Sequence, residues 1–183
     1  FKLYAQALNQ ESQAQDILDE WQQRLDTFKA QLPQPAPTVS LVRFMPGITR
    51  LYYQNSFPGQ IIQKAGLNRP KNQQKKGFAD VISLENINII DADIIFYFTY
   101  NETEKKGDET RNKWLSHPLW EQLEAVQNEN TYAVSDSYWT TSSGVLAANK
   151  VLDDLSQYVL TQTAKRPKPA EVDFKKVTLI HSD

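Results

Sequence analysis

Val39-Ser40-Leu41-Val42-Arg43-Phe44-Met45-Pro46-Gly47 is the stretch that decides the fold. Its apolar run predicts a buried strand over Thr38–Phe44, halted by the Pro-Gly breaker. A guanidinium at that junction cannot sit in a core without a partner. Arg43 either pairs internally or points out of the strand's end into a cleft. In open α/β sheets, ligand clefts lie beyond the carboxyl ends of the strands. The position therefore points to a receptor for something anionic.

Outward from this strand the pattern alternates. Thr49–Tyr53 is extended and suited to a hairpin arm. Ser56, Pro58 and Gly66 bracket a short helix over Gln60–Ala65. Leu67–Gly77 reads as a polar, basic loop, and Ser83 as the cap of a short helix over Leu84–Ile90. Ala92–Phe98 is almost continuously apolar, as expected of a strand covered on both faces. Tyr100–Lys113 reads as a charged loop. Ser116-His117-Pro118 opens a helix expected to reach Val126, and Thr131–Val134 is a short strand. Val145, Ala148, Leu152, Leu155 and Val159 form one stripe of a helix within Gly144–Leu160. Lys176–His181 is a further candidate strand.

Residues 1–32 read as one helix. Ile17, Trp21, Leu25, Phe28 and Leu32 recur at steps of four and three, and Pro33-Gln34-Pro35-Ala36-Pro37 ends the run. The predicted class is α/β: a central, mostly parallel sheet flanked by helices on both faces, preceded by a long linking helix.

Composition narrows the function. The 183 residues suffice for one domain with a proper core, and a net charge of −2 with dispersed Lys and Arg gives no basis for a nucleic-acid partner. No segment approaches the roughly 20 apolar residues of a membrane span. The chain has no cysteine, which excludes disulfides, thiolate zinc sites and cysteine nucleophiles. Its two histidines, His117 and His181, leave little for a His-based metal site or triad. Phe1-Lys2-Leu3-Tyr4 is neither a signal peptide nor a start methionine, so a piece of a longer protein is expected.

The sequence has no P-loop, dinucleotide glycine fingerprint, nucleophile elbow or metal-ligand spacing. The pairs Asp91/Asp93 and Asp153/Asp154 fit turns or solvated helix faces better than a catalytic dyad. His117, before Pro118, fits a helix cap. More informative are the strand ends. Arg43 and Phe44 follow the first strand, Tyr100 and Asn101 follow Ala92–Phe98, and Tyr138 and Trp139 follow Thr131–Val134. Parallel strands would gather these groups on one rim, where aromatics and a cation would line a site for a bulky anion. The alternative for Tyr138 and Trp139 is a role as core caps with hydrogen-bonded polar ends.

Val39 to Arg50, then Phe57-Pro58-Gly59-Gln60-Ile61-Ile62, then Ala65-Gly66-Leu67-Asn68-Arg69-Pro70, resembles the C-terminal lobe of periplasmic siderophore-binding proteins of ABC importers. The likeness continues through Ile82-Ser83-Leu84-Glu85, Asp91 to Phe96, Trp120 to Val126 and Val134 to Leu155. It covers nearly all of residues 1–160. It implies two α/β lobes joined by one long helix. Residues 1–33 would be that interlobe helix and 34–183 the C-terminal lobe, with the N-terminal lobe outside this chain. It further implies a ferric siderophore as ligand, with the siderophore rather than the protein ligating iron, and no directly bound cofactor.

In that frame Arg43 faces the ligand, Tyr138 and Trp139 form an aromatic rim, and Tyr100 adds contact area. Glu85 docks onto an arginine of the inner-membrane ABC permease; as a first-turn acid it would also stabilise its helix N-terminus. The setting would be periplasmic or extracytoplasmic, with a membrane anchor compatible. Alternatives are a haem- or cobalamin-type binding protein of the same class, or an α/β nucleotide-binding enzyme lobe, against which the missing phosphate loop weighs.

Overall fold

The computed structural model describes residues 2–101 and 104–161. Among them, five strands form one sheet in the order β3-β2-β1-β4-β5. These are β1 (Val39–Met45), β2 (Ile48–Tyr52), β3 (Ala79–Ile82), β4 (Ile94–Thr99) and β5 (Thr131–Ala133). β1, β4 and β5 run parallel, whereas β2 runs against β1 and β3 against β2. β3 therefore shares the direction of β1, and four of the five strands point the same way. The carboxyl ends of β1, β4 and β5 share one edge of the sheet.

Alternation along β1 builds two cores. Val39 and Leu41 face one layer, with Phe96 and Phe98 of β4. That layer is covered by α2 (Glu11–Ala30), α3 (Phe57–Lys64) and α7 (Val145–Leu155). Val42 and Phe44 face the other layer, with Ile95. Leu84–Ile90, in 3₁₀ turns kinked at Asn86, covers it together with α4 (Asp108–Leu115), α5 (Pro118–Glu121) and α6 (Glu124–Gln127). Helices on both faces explain why β1 and β4 are so continuously apolar.

The N-terminal region is two helices rather than the single one expected. α1 (Lys2–Ala7) ends where Asn9 takes a left-handed conformation at φ 52°. The Gln10 amide then donates to Ala5 O at 2.8 Å and the Asn9 amide to Gln6 O at 3.2 Å. This is a Schellman stop, with asparagine in the place glycine usually takes. The predicted stripe survives within α2. Leu25 and Phe28 are buried, Trp21 and Leu32 pack against the core, and Ile17 is 36% exposed. Each fully buried side chain of this kind contributes about 1.5–3 kcal/mol. Arg24 ties α2 to α7 by an ion pair of 2.5 Å to Asp153 and a bond to Asn149.

Four further expectations need correction. β3 lies in sequence read only as the approach to Ser83. The charged stretch Tyr100–Lys113 contains most of α4, which buries Trp114. α4 starts at Gly107, where an added Cβ would stand 2.7 Å from Phe44 O, so the helix enters tight against β1. The helix from Pro118 breaks at Leu123, because Asp91 accepts from the amides of Glu124 (2.9 Å) and Ala125 (3.3 Å) and starts α6 afresh. The last helix changes after Leu155 to a π-helical turn, Ser156–Leu160. The candidate strand Lys176–His181 lies outside the described residues.

Other local expectations match. Ser56 Oγ accepts from the Gly59 amide at 3.1 Å, and His117 Nδ1 accepts from the Leu119 amide at 3.2 Å. The aspartate pairs are structural. Asp93 takes the Thr38 amide and hydroxyl at 2.8 Å each, and Asp91 caps α6.

Candidate functional site

Arg43 occupies the carboxyl end of β1, on the face covered by α2, α3 and α7. Its register partners are Phe98 on β4 and Arg50 on β2. The guanidinium does not project freely. Nη2 donates to Asp136 Oδ2 at 2.7 Å, and Nη1 donates to the Tyr52 hydroxyl at 3.2 Å. Nε stands 2.7 Å from Asp136 Oδ1, at ion-pair distance but off the line of a hydrogen bond. The two side chains are only 12% and 7% exposed. Burial opposes the charge on Arg43, but Asp136 and Tyr52 outweigh it and hold the pKa above its ordinary value. Of the two possibilities the sequence left open, internal pairing is the one observed.

Asp136 was not singled out in the sequence. It follows β5 and is itself braced by hydroxyl donors, Thr140 at 2.8 Å and Thr141 at 3.3 Å. Tyr100 follows β4 and lies under the guanidinium, its ring centroid 5.2 Å from Arg43 Cζ. Three strand ends thus meet at one edge: Arg43 from β1, Tyr100 from β4 and Asp136 from β5.

Tyr138 and Trp139 part company. The π turn Ser137–Thr141 sends Tyr138 outward, 44% exposed, and Trp139 inward, 0% exposed. Trp139 lies 5.0 Å from the Phe96 ring and 6.2 Å from the Phe98 ring, centroid to centroid. Its Nε1 donates to Asp154 Oδ2 at 2.7 Å. A ring with no exposed surface offers none to a ligand. Trp139 therefore takes the core-cap alternative, while Tyr138 is exposed.

Asp154 titrates abnormally. Burial raises its pKa and neighbouring Asp153 adds to this, against the bond from Trp139. The folded state binds that proton more tightly than the unfolded chain, so acidification through the interval between the raised value and the ordinary 3.8 favours folding. Asp154→Asn keeps an acceptor for the indole and removes the buried charge. Denaturant titrations should find it more stable than the parent at neutral pH, with the gap closing below that interval. A gap independent of pH would contradict this.

Arg69 is a buried arginine away from the rim. It bonds the Tyr52 carbonyl and, at 2.9 Å, Gln73 Oε1, with Nε and Nη1 unsatisfied. Burial lowers its pKa to about 10. Gln73 continues the network to Ser40 Oγ at 2.9 Å and Ile89 O at 2.8 Å. These bonds join β1 and β2 to the 3₁₀ segment.

Glu85 stands apart from this cluster, beyond the end of β3. It is exposed in a cleft of about 470 Å³ lined also by Gly47, Val81, Ser83, Glu109 and Lys113. The Ser83 hydroxyl and its own amide, then Lys113 and His117, hold its carboxyl below the ordinary value. Among the described residues no group of three or more His, Cys, Asp or Glu could hold a metal ion, and no helix is long and apolar enough to cross a membrane.

The profile of the family described as "Periplasmic binding protein" matches residues 1–138. The chain belongs to this family. It is 40% identical to a probable siderophore-binding lipoprotein, YfiY, of Bacillus subtilis over 86% of this chain and 51% of that protein. It is 29% identical to an achromobactin-binding periplasmic protein of Dickeya dadantii, covering 85% of this chain and 53% of the relative. The chain spans about half the length of the curated relatives it matches. In three dimensions it resembles Staphylococcus aureus SirA complexed with staphyloferrin B. That likeness has a TM-score of 0.73 and 26% identity, over 86% of this chain and 58% of SirA. The α/β class and helix-covered sheet expected from the sequence are those of this periplasmic binding fold.

Proposed function

We propose that this chain is the C-terminal lobe of an extracytoplasmic binding protein that captures a ferric siderophore and delivers it to an ABC permease. Residues 1–33 connect it to an N-terminal lobe, and 34–183 form the lobe itself. The observation that carries this reading is the 40% identity to a siderophore-binding lipoprotein across 86% of the chain. The shared edge of β1, β4 and β5 supports it, since ligands of open α/β sheets bind beyond the carboxyl ends of strands. The siderophore supplies the donors to iron, and the protein supplies shape and charge. Arg43 sets the electrostatics of the wall, and Tyr100 and Tyr138 supply aromatic surface. No chemistry is done on the ligand. The aspartates with dyad spacing are occupied as caps, brackets and ion pairs.

Arg43 acts through residual donors. Of five guanidinium N–H groups, two donate, to Asp136 and Tyr52; Nε lies beside Asp136 without a hydrogen bond, and one N–H remains on each terminal nitrogen. The Asp136 pairing offsets the bare charge but fixes the fork in place, which favours geometric recognition over simple attraction. Glu85, kept ionised and exposed, is the docking contact for a basic side chain of the permease.

Titration of the full-length protein with catecholate, hydroxamate and carboxylate ferric chelates, followed by tryptophan fluorescence, tests the reading. Saturable quenching by at least one is expected, and silence with all three would refute it. Glu85→Ala should leave that titration unchanged and lower iron uptake by cells that depend on the protein. Unchanged uptake would remove Glu85 from the docking surface.

A further inference from the structure

A second cleft opens at the same sheet edge, on the opposite face from Arg43. It measures about 300 Å³ and is lined by Tyr97, Thr99, Arg111, Ala133 and Ser135, with Phe98 and Val134. Strand alternation explains the placement. Phe98 lies in the core layer beneath Arg43, while Tyr97 packs in the layer with Phe44. Past β5 the step from Ser135 to Asp136 does the same, sending one residue to each side of the edge.

Arg111 carries the only formal charge among the described residues that line this cleft. It is held by its own helix. Nη1 reaches Asp108 at 3.0 Å, while Nε and Nη2 reach Asn112 Oδ1 at 3.3 and 3.1 Å. That accounts for three of five N–H groups, leaving one on each terminal nitrogen. The side chain is 30% exposed, so it is fixed yet accessible. The hydroxyls of Tyr97, Thr99 and Ser135 make no hydrogen bond to another described residue. Burial raises the Tyr97 pKa, and the charge of Arg111, which lines the same cleft, opposes that rise. A fixed guanidinium and three hydroxyl-bearing residues that make no hydrogen bond through those hydroxyls among the described residues line one cleft, a donor set suited to a carboxylate.

We propose that this Arg111–Tyr97–Thr99–Ser135 cleft is a second anion subsite, which takes a peripheral carboxylate of the bound chelate. The inference rests on the siderophore reading and narrows it. The ligand bears more than one anionic arm and straddles the edge, with one arm toward Arg43 and one toward Arg111. A polycarboxylate chelate fits this, and a neutral trishydroxamate chelate does not use the subsite.

The test uses the full-length protein and its Arg111→Gln and Ser135→Asp variants. One arm measures the thermal shift given by iron-free citrate at matched ionic strength. The other titrates ferric citrate and a neutral ferric trishydroxamate. Citrate should raise the melting temperature of the parent and not of the variants. Both variants should bind ferric citrate about tenfold more weakly or worse, with the hydroxamate complex changed less than about twofold. Variants that match the parent in both arms overturn the subsite. So does an equal loss of both chelates, which would make Arg111 a structural residue. If the parent binds no ferric chelate yet keeps a citrate shift that Arg111→Gln removes, the subsite stands and the siderophore reading falls. If the parent responds to neither citrate nor ferric chelate, both fall.

Discussion

Arg43→Ala is expected to cost about 3–5 kcal/mol of folding stability, because it leaves the carboxylate of Asp136 buried without its counter-charge. The pair is 12% and 7% exposed, joined by one hydrogen bond and a second close N–O approach, and further braced by Tyr52. Exposed ion pairs contribute about 1 kcal/mol or less, so burial is what makes this effect large. Denaturant unfolding of the single variants and of the double variant Arg43→Ala/Asp136→Ala gives the coupling. The double variant should lose much less than the sum of the singles. A single-variant loss under about 1 kcal/mol would mean that water screens the pair. Where the variant remains folded, an anionic chelate should bind more weakly by about 1.5–3 kcal/mol. Lysine should rescue little of either effect, because it cannot reproduce the fork.

Trp139→Ala should cost about 3–5 kcal/mol, the range for deleting a large buried aromatic side chain. The indole is 0% exposed against the rings of Phe96 and Phe98, and its loss also strips Asp154 of its donor. Tyr138→Ala should behave in the opposite way. Its ring is 44% exposed, so stability should move by no more than about 0.5 kcal/mol while chelate affinity falls. Thermal unfolding and chelate titration of the two variants separate core from rim. If Trp139→Ala is as stable as the parent, the inward placement of the indole is wrong.

Adjacent residues with such different roles show where sequence is silent. A strand would send Tyr138 and Trp139 to opposite faces, but it could not say which faced the core. The π turn decides it. Asp136 was equally hidden. It stands 93 residues from Arg43, and a pairing over that separation leaves no trace in periodicity. Arg111 was lost for another reason. The helix carrying it is charged on most faces, with only Trp114 buried, so its stretch resembles a loop. β3 is four residues at the sheet's far side, with the weak pattern Ala79-Asp80-Val81-Ile82. What could be read was local and strongly patterned. Unbroken apolar strands gave β1 and β4, a Ser-Pro start gave α3, and a Pro-Gly breaker gave the β1–β2 turn. The roles of Asp91 and Asp93 depend on partners distant in sequence, Thr38 for Asp93 and the α6 amides for Asp91.

The account depends most on one claim: the carboxyl edge of β1, β4 and β5 is a wall of the ligand site. The position of iron in crystals of the full-length protein grown with a ferric chelate, located by its anomalous scattering, tests it most directly. The account predicts iron above that edge, with chelate atoms within hydrogen-bonding reach of Arg43 and no protein atom bonded to the metal. Iron bound elsewhere, or ligated by the protein's own side chains, would contradict it.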